Sequence, residues 1–124
     1  MNKEEIKAIN ERFAKFEFEN GEVVETIQDG LYVQGSTGER NYFKPLYTDS
    51  FDSCLPLLEK LGDSFIFNIN YDTDFSGNEY ICRVYKPIFE YSPLIDTGGS
   101  TMLEVLTEAI DKAINELSKV RGNE

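Results

Sequence analysis

The segment from Thr101 to Leu117 constrains the fold most. Met102, Leu106, Ala109, Ile110, Ala113, Ile114 and Leu117 recur at helical spacing, while Glu104, Glu108, Asp111, Lys112, Asn115 and Glu116 fill the other side. Thr101 followed by Glu104 is a capping-box start. A helix with so wide an apolar face needs a second layer to cover it. The best candidate is a strand pattern upstream. In Ser64–Tyr71, Phe65, Phe67, Ile69 and Tyr71 alternate with Ile66, Asn68 and Asn70. Glu79–Tyr85 reads as a second strand. A chain of 124 residues, 40% hydrophobic, suffices for one modest core, and no linker or repeat divides it, so one α+β domain over residues 1–124 is expected. Ile110 and Ile114 are expected in that core.

The N-terminal half alternates in period. Asn2 and Glu5 form a cap, and Ile6, Ile9 and Phe13 make one stripe of a first helix, with Asn10 and Glu11 off it. From residue 15 the period becomes two: Phe16 and Phe18 predict a strand, Asn20-Gly21 a hairpin turn, Glu22–Ile27 its return, Asp29-Gly30 a second turn and Leu31–Gln34 a third strand. Tyr42–Asp49 is expected to be extended. A second helix over Ser50–Leu61 would bury Phe51, Leu55, Leu58 and Leu61 and end at Gly62. Pro56 requires either a start near Ser53 or a distorted first turn. Residues 86–99 read as an extended segment with a short strand at Ile88–Tyr91, then a loop through Gly98-Gly99. The predicted architecture is α+β, a mostly antiparallel sheet of five or six strands with three helices, sandwich-like.

Composition excludes several chemistries. Histidine is absent, which removes the Ser-His-Asp triad, the Cys-His dyad and histidine-bearing zinc sites. Cys54 and Cys82 are too few for an all-cysteine zinc site, and read as buried thiols in a reducing cytoplasm. The balance of 12 basic to 23 acidic residues, net charge −11, argues against direct nucleic-acid binding and against an anionic membrane surface. No apolar run reaches the ~18–20 residues of a membrane helix. A cytoplasmic protein without cofactor or metal is expected.

Four features could form sites. Asp72-Thr73-Asp74-Phe75-Ser76-Gly77 copies the first half of a calcium loop, but Arg83 stands where the bidentate Glu belongs, so it reads as a turn. Thr97-Gly98-Gly99-Ser100-Thr101 precedes a helix and could offer amides to an anion, yet lacks the phosphate-loop lysine. A pair of carboxylates could do acid–base work, but no two of them are singled out. Aromatic residues cluster in the second half, and Tyr85, Phe89 and Tyr91 are the candidate surface for a protein partner.

The order of elements resembles the phage ABA-sandwich domain family of small phage and prophage proteins. The resemblance is carried by Tyr42-Phe43-Lys44-Pro45-Leu46-Tyr47-Thr48-Asp49 leading into Leu57-Leu58-Glu59-Lys60-Leu61, by strands Phe65–Tyr71 and Tyr80–Val84, and by the Ala-rich Thr107–Ile114. It covers about residues 1–13 and 42–118; the meander at 15–34, Pro56 and the lack of Trp depart from the family pattern. It implies a non-enzymatic phage or prophage accessory protein that acts by binding, with no catalytic residues. The alternative is an acidic inhibitor, an immunity protein or DNA mimic, whose charge steers it to a basic partner. Against that, Lys112 and Lys119 interrupt the acids of the last helix, as expected of a solvated face.

Overall fold

The computed structural model describes residues 2–18, 23–27, 30–34, 42–72, 79–87 and 92–122. The fold is α+β. Three α-helices and six strands are found among the described residues, and the strands form two antiparallel three-stranded sheets rather than one. The helix between the third and fourth strands separates the two triplets in sequence. Contacts group the chain into two compact units, residues 1–57 and 58–124.

The first unit starts with α1 (Lys3–Glu17). Its cap forms as the sequence implies: the Glu5 amide donates to Asn2 Oδ1 at 2.8 Å. The strand expected at Phe16–Phe18 is instead the last turn of this helix. Phe13 and Phe16 also stand at helical spacing, and three alternating residues do not outweigh a helix that has already been propagated from Lys3. Strands β1 (Val23–Ile27), β2 (Gly30–Gln34) and β3 (Tyr42–Pro45) form a meander in that order. Ile27 pairs with Gly30, so the connection is residues 28–29 and Gly30 belongs to the strand. A Cβ on Gly30 would stand 2.8 Å from the Lys44 carbonyl oxygen; the residue is glycine for close approach to β3, not for a turn. The Asn20-Gly21 turn lies outside the described residues.

The segment expected to be extended over Tyr42–Asp49 divides into β3 and a 3-10 turn, Tyr47–Asp49. Asn10, read as lying off the helix stripe, ties α1 to that turn. It is fully buried; its Oδ1 accepts from the Tyr47 amide at 2.7 Å and its Nδ2 donates to the Ile6 carbonyl and Thr48 Oγ1. The Phe13 and Tyr47 rings meet edge to face at 5.5 Å.

Helix α2 (Phe51–Leu61) begins before Ser53 and carries Pro56 in its interior. The bond Pro56 cannot make would reach the Asp52 carbonyl; Asp52 is exposed, so the lost bond falls on the outer side of the helix rather than in the core. The buried stripe is Ser53, Cys54, Leu57 and Leu61, whereas Phe51 and Leu55 are exposed and Leu58 is half-buried. Polar anchors set this rotation: Ser53 Oγ donates to the Pro45 carbonyl at 2.8 Å and Cys54 Sγ to the Tyr47 carbonyl at 3.3 Å.

In the second unit, β4 (Ile66–Asp72), β5 (Glu79–Tyr85) and β6 (Ile95–Gly99) form a sheet in that order, covered on one face by α3 (Met102–Gly122). The loop expected at Gly98-Gly99 is the end of β6, paired with Ile81 and Tyr80. Cys82, Val84, Ile95 and Thr97 face Val105, Leu106, Ala109, Ile110 and Ala113, all buried. Ile110 is fully buried as expected; Ile114 is half-buried and Met102 exposed, while Val105 and Thr107, which the predicted apolar face leaves out, are buried. Thr97 Oγ1 donates to the Val105 carbonyl at 2.9 Å, fastening β6 to the helix. The strand expected at Ile88–Tyr91 falls outside the described residues.

Candidate functional site

Two groups of side chains could carry function, one in each unit. The first is buried. Register opposes Leu31 to Lys44 and Tyr32 to Phe43, and directly opposed residues share a face. Leu31 is in the core, so Lys44 points inward, and Phe43 faces water with 69% of its surface exposed. The inward ammonium is met by Glu17 from the last turn of α1, which bonds to Lys44 Nζ and accepts from the Tyr47 hydroxyl at 2.6 Å. Lys44 Nζ also lies 4.7 Å from the centre of the Tyr47 ring and 5.8 Å from that of Phe18. The side chains of Glu17 and Lys44 keep only 11% and 12% of their surface.

Cys54 lies beside this pair. Burial pushes its thiol from the ordinary 9.0 up to about 11, with Lys44 pulling the other way and Glu17 adding to the rise. Cys82, in the second unit, is pushed up to about 11 by burial and by Asp96. Both are free thiols, and at neutral pH both are protonated and weakly nucleophilic. The charged groups around Cys54 are committed to one another. The cluster is therefore a structural clip of α1, β3 and the 3-10 turn. Raised thiol pKa values have a consequence for stability. The folded state holds these protons more tightly than the unfolded chain, so their contribution is complete below pH 9 and is lost as pH rises toward 11. Chemical denaturation at pH 8 and pH 10.5 should show a larger loss of stability for wild type than for Cys54→Ala/Cys82→Ala; equal losses would mean that the thiols titrate normally.

The second group lies on the sheet face opposite α3. Register places Ile66 beside Tyr85, Asn68 beside Arg83, Asn70 beside Ile81 and Arg83 beside Asp96. Ile66 is 51% exposed, Asn68 and Asn70 are exposed, and Ile81, Arg83 and Tyr85 are half-buried. Arg83 Nε lies 3.6 Å from an Asp96 carboxylate oxygen. Gly98, opposite Ile81, adds no side chain to the face. Tyr85, expected at a partner surface, is thus one of a row of residues; Phe89 and Tyr91 lie outside the described residues. The two-residue alternation already puts Ile66 and Asn68 on one side of their strand, but nothing local in the sequence joins them to Ile81 and Arg83.

The anion reading of Thr97–Thr101 does not fit the geometry. A Cβ on Gly98 would meet the Glu79 carboxylate at 3.0 Å and one on Gly99 the Glu104 carboxyl at 3.1 Å, so carboxylates stand over both glycines. The helix start is occupied as well: the Glu104 amide donates to Thr101 Oγ1 at 3.1 Å and Ser100 Oγ to Glu104 Oε2 at 3.2 Å. The calcium-like residues Asp74 and Ser76 fall outside the described residues; elsewhere among the described residues no three Cys, Asp or Glu gather as a metal set. No helix there is long and apolar enough to cross a membrane. Comparison of the sequence with family models, with curated proteins and with solved structures returned no match.

Proposed function

We propose that this protein acts without catalysis, by binding another protein through the face of the second sheet that carries Ile66, Asn68, Asn70, Ile81, Arg83 and Tyr85. The observation that carries the reading is the make-up of that face: apolar Ile66, Ile81 and Tyr85 interleaved with hydrogen-bonding Asn68, Asn70 and Arg83, with acids at its margins and no lysine. Tyrosine and arginine are enriched at protein interfaces, while lysine and glutamate are depleted. A net charge of −11 favours a protein over a nucleic acid as partner. Two buried free thiols suit a cytoplasmic setting. A phage or prophage accessory role follows from the family resemblance alone, and neighbouring capsid or integrase genes would support it.

The acidic-inhibitor reading has less support. Glu108 pairs with Lys112 at 3.5 Å and Glu116 with Lys119 at 3.3 Å, so the acids of α3 are interleaved with cations as on a solvated surface. Capture experiments with tagged protein at low and high salt separate the two. On the binding-face reading, a stoichiometric partner is retained at high salt and lost in Ile66→Asp/Tyr85→Asp. A basic partner captured only at low salt, and lost when Glu104, Glu108 and Asp111 become Gln or Asn, would establish the inhibitor instead.

A further inference from the structure

We infer that β4 is a self-association edge: its free side pairs with β4 of a second copy of this chain in antiparallel fashion, joining two three-stranded sheets into one of six. Among the described residues, β4 forms a ladder with β5 alone, and its seven pairs from Ile66–Tyr85 to Asp72–Glu79 run without interruption, so no bulge bends this edge away. Sheet edges are normally guarded by charge, proline, bulges or brevity. The other three edges are. β1 has five residues and includes Glu25, β3 has four and includes Lys44 and Pro45, and β6 has five with Asp96 and two glycines. β4 is longer and carries no charge from Ile66 through Tyr71.

Charge and register both select a second copy as the occupant. Self-docking of a chain with net charge −11 needs a region where no like charges meet, and the centre of β4 is one. Full overlap about a two-fold axis at Ile69 sets Ile69 opposite itself, Asn68 opposite Asn70 of the second copy, Phe67 opposite its Tyr71 and Ile66 opposite its Asp72. Whichever alternate residues point their backbone groups outward, this register closes about six to eight backbone hydrogen bonds. Within one chain, Asn70 Nδ2 already donates to Asn68 Oδ1 at 2.8 Å. That leaves Asn68 Nδ2 to donate and Asn70 Oδ1 to accept across the seam, and the two-fold repeats the match. The seam is built from the strand edge and stands whether or not the adjoining sheet face binds a partner.

Sedimentation equilibrium over a concentration series, with circular dichroism to verify folding, tests this by mass alone, without reference to partner capture. Wild type is expected to move from monomer to dimer as concentration rises. Asn68→Lys/Asn70→Lys sets lysine against lysine across the seam and should remain monomeric. Asn68→Lys/Asn70→Glu sets each lysine against a glutamate of the other copy and should dimerise again. Amide hydrogen exchange of wild type supplies a readout that needs no variant: alternate amides of residues 66–72 should gain protection with concentration. A wild type that stays monomeric, a double-lysine variant that still dimerises, a lysine–glutamate variant that does not, or β4 amides indifferent to concentration would each overturn the inference.

Discussion

Ile110→Asp is expected to unfold the second unit. Ile110 is fully buried on α3, among Val105, Leu106, Ala109 and Ala113, which are buried with it. The substitution removes an aliphatic side chain, a loss of about 2–5 kcal/mol in comparable cores, and adds a carboxylate to an apolar site. Folded domains are stable by only about 5–15 kcal/mol, so the sum approaches or exceeds the whole. Ile114→Asp provides the comparison. Ile114 is half-buried, and its carboxylate can reach water, so a smaller loss is expected. Thermal denaturation followed by near-ultraviolet circular dichroism should show the second unit's share of the transition lost in Ile110→Asp and shifted to lower temperature in Ile114→Asp. A melting temperature for Ile110→Asp within a degree or two of wild type would mean that α3 does not pack on the sheet through this face.

The second large effect is expected at Glu17. Replacing it with Ala leaves the Lys44 ammonium nearly buried without its carboxylate and removes the acceptor of the Tyr47 hydroxyl. Breaking a buried pair from one side costs about 3–5 kcal/mol, because the remaining charge has lost water and keeps only the faces of Tyr47 and Phe18 in exchange for a carboxylate. Removing all the polar groups at once should be far milder. Glu17→Leu/Lys44→Met/Tyr47→Phe is expected within about 1–2 kcal/mol of wild type, since an apolar replacement of similar size avoids desolvating a charge. Urea denaturation of the single and triple variants measures the difference. A single variant that loses less than about 0.5 kcal/mol would show Glu17 and Lys44 to be an ordinary surface pair.

The parts legible in the sequence are those whose signal is local. Asn2 with Glu5 and Thr101 with Glu104 mark helix starts through bonds that span three residues. The alternation of Phe65–Tyr71 needs only a pleat. Three features are not legible: one because its local pattern is too short, two because they depend on register or on distant partners. Phe16 and Phe18 fit a strand period over too few residues to outweigh the helix that reaches them. Strand β6 was obscured by Gly98 and Gly99, residues with little intrinsic preference for a strand, which pair only because β5 is beside them. At Tyr42–Pro45 the sequence predicts an extended segment but no inward face, and side-chain polarity alone would favour a buried Phe43 and a solvated Lys44. The pairing with β2 reverses them, and Glu17, far off in sequence, makes that reversal tolerable. The candidate binding face was half visible: Tyr85 stood out as an aromatic, but its neighbours on β4 became a surface only once the β4–β5 register was known.

Backbone amide shifts of labelled protein, followed while a captured partner is titrated in, test most directly whether this sheet face is the working surface. The binding account predicts that the largest shifts fall on Ile66, Asn68, Asn70, Ile81, Arg83 and Tyr85, while the exposed acids of α3, Glu104 and Glu108, stay in place. Shifts concentrated on Glu104 and Glu108, with Ile66 through Asn70 unmoved, would contradict it.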